Sequence, residues 1–135
     1  MVLLDTSGYS AFRRGHAEIS ARLKKSSRIY LNPVVLGELH QGFRQGGLGA
    51  KNEAELEHFL QLSRVHLLDI TPDSADFYAS IVTSLRRAGT PIPTNDIWIA
   101  ATAMQYTLPI VTTDPHFERV GQVATLLFPV RSEER

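Results

Sequence analysis

No cysteine occurs among the 135 residues. That excludes disulfides and thiolate metal sites, and it suits a reducing compartment such as the cytoplasm. Net charge is also absent: 14 Lys and Arg balance 14 Asp and Glu. No global field therefore draws the chain to nucleic acid or to a membrane surface. Long apolar runs are missing as well. Met1-Val2-Leu3-Leu4 meets Asp5 too early for a signal peptide, and no stretch approaches a membrane span. Phosphate-binding glycine motifs are wanting too. Gly46-Gly47-Leu48-Gly49 fits neither GxxxxGK[ST] nor GxGxxG and follows a helix, where those motifs follow strands. These absences leave a soluble, cytoplasmic globular protein, and its 43% hydrophobic content is enough for a core of its own.

What is present is organised around Pro93 to Met104. Pro93 and Thr94 read as a helix start with Thr94 as N-cap. From Ile97 to Met104 every residue but Thr102 is apolar, on all sides of the wheel, so this helix belongs between layers and not on a surface. Asp96 lies in its first turn, where the helix N-terminus favours a carboxylate. Taken alone, capping is the better explanation of it, and the rest of the chain decides otherwise.

Earlier in the chain, Val2-Leu3-Leu4 reads as a buried strand closed by Asp5, with a helix N-cap at Thr6 or Ser7. In an open α/β sheet ligands sit just past the carboxyl ends of strands, which is where Asp5 falls. A turn residue at a strand end is the plainer alternative. A basic helix follows from about His16 to Lys25, with Ile19 and Leu23 as its apolar pair. Between Arg13 and Arg28, the cations Arg13, Arg14, Arg22, Lys24, Lys25 and Arg28 face only one acid, Glu18. Ile29 to Leu31 is a second strand, and Asn32-Pro33 starts a helix running to about Gln45. On its wheel Glu38 falls at the edge of the apolar arc of Val35, Leu36, Leu39 and Phe43, a position from which a Glu often reaches water.

A helix is expected over Glu53 to Ser63 and a third strand over Val65 to Ile70. Thr71-Pro72 opens a helix whose stripe is Ala75, Tyr78, Ile81, Val82 and Leu85, ended by Gly89. Leu108 to Val111 is a fourth strand running into Thr112-Thr113-Asp114, and Val123 to Phe128 is a fifth. The alternation predicts one domain over residues 1–130, a three-layer α/β/α sandwich on a mainly parallel sheet of about five strands, with a disordered tail at 131–135.

Asp5, Glu38, Asp96 and Asp114 each lack a Lys or Arg within four residues. If they converge, repulsion raises at least one pKa unless a divalent cation intervenes. An all-oxygen set favours Mg²⁺ or Mn²⁺ over zinc. Such a site suits phosphodiester hydrolysis, with Thr6, Thr112 and Thr113 orienting water or a carboxylate through their hydroxyls. A dehalogenase-type phosphohydrolase is disfavoured, because Asp5-Thr6-Ser7 lacks the second Asp of that nucleophile loop. A non-catalytic α/β binding module, its acids mere caps, remains open.

Four motifs in order, Val2-Leu3-Leu4-Asp5-Thr6-Ser7, Pro33 to Leu39 around Glu38, Asn95-Asp96-Ile97-Trp98-Ile99-Ala100-Ala101-Thr102-Ala103, and Val111-Thr112-Thr113-Asp114-Pro115-His116-Phe117, resemble those of PIN-domain ribonucleases. The size and the short C-terminal end resemble VapC-type toxins of toxin–antitoxin pairs. The resemblance implies that Asp5, Glu38, Asp96 and Asp114 are catalytic acids binding Mg²⁺ or Mn²⁺, with Asp5, Asp96 and Asp114 on the metal and Glu38 on it directly or through water. It implies RNA cleavage that blocks translation, a homodimer, and a VapB-type antitoxin whose tail fills the acidic groove. A housekeeping PIN nuclease without an antitoxin is the neighbouring alternative. Thr112 matches a polar position near the metal, and Asn95 is placed to hydrogen-bond into the site. Arg13, Arg14, Lys24 and Lys25 become a phosphate-guiding rim. Asp69 matches no acidic motif and is read as structural, and His116 with Phe117 as packing for the last turn.

Overall fold

Val2–Leu4 forms β1, and all three of its side chains are buried. A continuous apolar run is what a strand covered on both faces requires, and β1 is the middle strand of five in this computed structural model, which describes residues 1–130. The others are β2 (Ile29–Leu31), β3 (Val65–Leu67), β4 (Ile110–Thr112) and β5 (Thr125–Leu127), in the order β3-β2-β1-β4-β5. Every neighbouring pair is parallel, so the sheet is wholly and not merely mainly parallel. Leu3 stands opposite Tyr30 on one side and Ile110 on the other.

Each strand spans three residues, so the third and fifth are shorter than expected and the fourth ends one residue later, on buried Thr112. The third ends early because, after Leu68 donates its amide to Leu31, Asp69 and Ile70 leave the ladder. The tail expected to be disordered, 131–135, lies outside the described residues.

The helices are α1 (Thr6–Arg13), α2 (Ala17–Lys24), α3 (Pro33–Gln45), α4 (Gly49–Leu60), α5 (Pro72–Ala88) and α6 (Thr94–Tyr106), with a 3-10 turn over Pro115–Arg119. Right-handed crossovers put the helices between β1 and β3 on one face and those between β3 and β4 on the other, which makes three layers. A single core cluster includes Leu3, Ile19, Leu39, Phe59, Ile81, Ile99 and Phe117. No helix among the described residues is long and apolar enough to cross a membrane.

Four local expectations change. The N-cap of α1 is Asp5, not Thr6 or Ser7, since its carboxylate accepts from the Gly8 amide at 2.7 Å. Thr94 is the first residue of α6 and makes no capping bond; Pro93 precedes it in extended backbone. In α5 Ala75 is exposed and Ser74 is buried in its place, because Ser74 donates to Gln105 Oε1 and accepts from the Thr71 amide at 3.0 Å. Helix α4 starts four residues earlier than expected, on Gly49, the last residue of the glycine connector.

Asn32 joins the layers that carry the site. Its Oδ1 accepts from the Val35 amide at 3.0 Å, capping α3, and its Nδ2 donates to Thr102 of α6 at 3.0 Å, with the whole residue buried. Asn32→Ala removes the cap and leaves buried groups without a partner, so it is expected to cost about 2 kcal/mol in urea denaturation. Asn32→Asp retains the cap but loses the bond to Thr102 and buries a charge, so near neutral pH it should also be less stable than the wild type and recover part of that loss as the pH falls.

Candidate active site

The chain leaves β1 toward β2 on one side and leaves β4 toward β5 on the other. Between these adjacent strands a crevice opens at the carboxyl ends, the usual ligand position in open parallel sheets. Asp5 follows β1 at once and Asp114 comes two residues after β4. Asp96 sits in the first turn of α6. Glu38 comes from α3, half-buried at the edge of its apolar arc.

Asp5 is only 3% exposed. Its Oδ2 accepts from the Thr112 hydroxyl at 2.6 Å, and the Ser7 hydroxyl lies 3.0 Å and 2.9 Å from its two oxygens. Thr112 and Ser7 are themselves 3.0 Å apart. The Thr113 amide donates to Ser7 Oγ at 3.0 Å, and the Asp114 amide donates to Thr112 Oγ1 at 2.9 Å. Two hydroxyls thus tie the ends of β1 and β4 to one carboxylate. Burial pushes the Asp5 carboxyl up to about 7, against the lowering effect of those hydrogen bonds and with a further upward push from Asp96.

Asp96 is raised too, first by burial and then by the charges of Asp114 and Glu38, while His116 opposes the shift. The Thr6 hydroxyl donates to Glu38 Oε1, and Asn95 Nδ2 reaches Glu38 Oε2 at 3.4 Å. Four acids from four separate elements therefore share one electrostatic neighbourhood. Among the described residues no Lys or Arg pairs with any of them.

Of the residues singled out in the sequence, Thr6, Asn95 and Thr112 touch these acids through their side chains, and Thr113 joins the network through its backbone. The four cations sit at the ends of α1 and α2. Exposed Arg13 pairs with Glu55 at 3.0 Å. Arg14 caps the far end of α1, and Lys24 and Lys25 end α2 shortly before β2 begins, toward the amino edge of the sheet.

Two residues at the site carry more than their sequence signals suggest. Ser7 is legible only as a cap, yet it bridges Asp5, Thr112 and Thr113. His116 reads as packing, but Phe117 fills that role and is fully buried. The His116 ring is 37% exposed, and its Nδ1 lies 3.2 Å from both Asp96 Oδ2 and Asp114 Oδ1. The signal is Asp114-Pro115: Asp114 Oδ1 accepts from the His116 amide at 2.9 Å, a tight turn that folds the ring back toward the acids.

The residues suit a divalent cation. One donor atom each from Asp96, Asp114 and His116 fall within 4.8 Å of one another. Asp5, outside that set, is a buried acid that no Lys or Arg among the described residues neutralises. The PIN domain model matches residues 2–123 of the chain. The chain belongs to the PIN-domain family. Within it, a ribonuclease VapC of Rickettsia bellii is 30% identical over 136 residues, covering 96% of this chain and 98% of that one. Ribonuclease VapC2 of Haemophilus influenzae is 32% identical over 126 residues, 91% and 94% of the two chains. In the crystal structure of VapBC2 from Rickettsia felis bound to a promoter DNA fragment, a chain superposes with a TM-score of 0.81 at 25% identity, covering 94% of this chain and 98% of that one. This PIN domain carries Asp5, Asp96 and Asp114 on strand and helix ends, and Glu38 within α3.

Proposed function

We propose that the chain is a metal-dependent endoribonuclease acting as the toxin of a toxin–antitoxin pair, cleaving tRNA, rRNA or mRNA to block translation. The observation that carries this reading is the meeting of Asp5, Glu38, Asp96 and Asp114 at the switch point, with no Lys or Arg among the described residues pairing with them. The relatives named ribonuclease VapC support the substrate class.

Asp96 and Asp114 hold Mg²⁺, or Mn²⁺ in its place, with Asp5 beside them and Glu38 direct or through water. When bound, such an ion lowers the pKa of its water toward neutrality and polarises a phosphoryl oxygen. The chain's own groups prepare the place. Thr112 and Ser7 fix the direction of the Asp5 carboxylate, and Thr6 and Asn95 hold Glu38 toward the crevice, leaving Asp96 between them. RNA cleavage should stop in EDTA and return with Mg²⁺ or Mn²⁺, and Asp96→Asn should not be rescued by either. Cleavage that continues in EDTA would remove the metal from this reading.

The assembly follows from the same family reading: a homodimer whose acidic groove receives a VapB-type antitoxin. The similar structure of VapBC-5 from Mycobacterium tuberculosis, a member of the VapBC family of toxin-antitoxin systems, supports the pairing. Expression should arrest growth, with rescue by the small protein encoded alongside. Arg13, Arg14, Lys24 and Lys25 serve RNA that extends past the crevice. Neutralising them should flatten the dependence of log affinity on log salt by about 0.7 for each phosphate that then goes unneutralised, and an unchanged slope would strike them out.

A further inference from the structure

The His116 ring lies beside the acids in the crevice, and nothing in the reaction described above uses it. Its position is held from both sides. Its amide donates to Asp114 Oδ1 at 2.9 Å, Pro115 precedes it, and buried Phe117 anchors the next residue in the core. The ring is turned so that Nδ1 stands 3.2 Å from Asp96 Oδ2 and 3.2 Å from Asp114 Oδ1. Adjacent ligands of an octahedral ion with bonds of about 2.1 Å stand about 3 Å apart. The spacing of the ring nitrogen from each carboxylate oxygen is therefore that of neighbouring positions on one ion. Both oxygens of Asp5 are engaged by Ser7, Gly8 and Thr112.

We propose that His116 is a direct ligand of the divalent ion through Nδ1, alongside Asp96 and Asp114, and that this nitrogen tilts the site toward Mn²⁺ over Mg²⁺. The inference rests on the reading of the acids as a metal centre. Mg²⁺ is a hard ion that takes oxygen donors, whereas imidazole suits first-row transition ions. Ligation at Nδ1 requires the ring proton on Nε2, a tautomer open to a neutral imidazole. The donor set is then two carboxylates and one nitrogen, in place of the all-oxygen set that the sequence suggested.

Mn²⁺ bound to the full-length protein is read by pulsed electron paramagnetic resonance, and Mn²⁺ and Mg²⁺ affinities by calorimetry. Wild type, His116→Gln and Asp96→Asn are compared. The wild type should show ¹⁴N modulation from a directly bound imidazole and a clear preference for Mn²⁺. His116→Gln should lose the modulation and weaken Mn²⁺ binding on the order of 10-fold or more, with Mg²⁺ affinity changed by less than about 3-fold, as expected for an ion that takes oxygen ligands. Mn²⁺ bound without ¹⁴N modulation, modulation that survives in His116→Gln, or an unchanged Mn²⁺ to Mg²⁺ ratio would each overturn the proposal while leaving the metal centre standing. Absence of any bound ion, or equal binding by Asp96→Asn, would instead overturn the centre on which it rests.

Discussion

Asp5→Asn should abolish RNA cleavage and, in the same protein, raise thermal stability at pH 8 in the absence of metal. The second effect follows from the carboxyl's environment. Folding raises the Asp5 pKa from 3.8 to about 7, chiefly by burial. Between those values the folded chain keeps a proton that the unfolded chain has released. Stability therefore falls as pH rises through this interval, by about 1.4 kcal/mol per pH unit. Below the lower value the group adds no pH dependence, and above the upper one the full cost, about 4 kcal/mol over the interval, is present. Asparagine carries no charge to bury. Its amide donates to Thr112, its carbonyl still accepts from Gly8, and the Ser7 and Thr112 hydroxyls reorient to match.

In EDTA the two proteins should melt together near pH 4 and separate by roughly 10 °C at pH 8, with asparagine the more stable. Asp96 is raised in the same direction, so some slope persists even in the variant, and only the difference belongs to Asp5. Mn²⁺ added at pH 8 should close the gap from the wild-type side. An Asp5→Asn protein less stable than wild type at pH 8 would show that hydrogen bonding to the carboxylate outweighs its desolvation. A site that weakens its own fold and is relieved by a ligand is the expected form of the trade between stability and activity.

The parts of this site that can be read from sequence are those with a local rule behind them. A buried strand stopping at Asp5, the Asn32-Pro33 helix start and the uniformly apolar stretch from Ile97 each announce themselves through composition or capping chemistry. Their meeting in one crevice rests on the strand order β3-β2-β1-β4-β5, which no local pattern contains. Ser7 and His116 are opaque for a related reason. Ser7 acts through partners 105 and 106 positions away, Thr112 and Thr113. His116 acts through Asp96, 20 positions away, and through a short turn with no periodicity. The basic run is the opposite case: its bias is plain in composition, but composition does not say where the side chains go. Arg13 lies in the last turn of α1, and Lys24 and Lys25 at the end of α2.

Among the glycines, Gly8 is the position with least tolerance for a side chain. Gly8→Ala is expected to destabilise the protein by about 3 kcal/mol and to remove cleavage, although alanine is the better helix former by about 1 kcal/mol. Gly8 lies in the first turn of α1, where the helix presses directly on the sheet. A Cβ there would stand 2.5 Å from the Val111 carbonyl oxygen, 2.9 Å from Leu4 Cδ1 and 3.0 Å from Asp5 Oδ1. The nearest of these is backbone and cannot rotate away. That carbonyl also accepts the Asp5 amide at 3.3 Å, so moving it loosens the bond between the two strand ends that carry Asp5 and Asp114. Relief must come from α1 lifting off β4, which carries the Gly8 amide away from Asp5 and Ser7 away from Thr112. Gly37→Ala and Gly42→Ala in α3 provide the contrast. Neither Cβ would meet an atom within 4 Å, so each should gain about 0.5–1 kcal/mol from helix propensity alone. Urea midpoints of the three variants separate the two effects. A Gly8→Ala midpoint at or above that of the wild type would mean that α1 stands farther from β4 than the approach to Val111 requires.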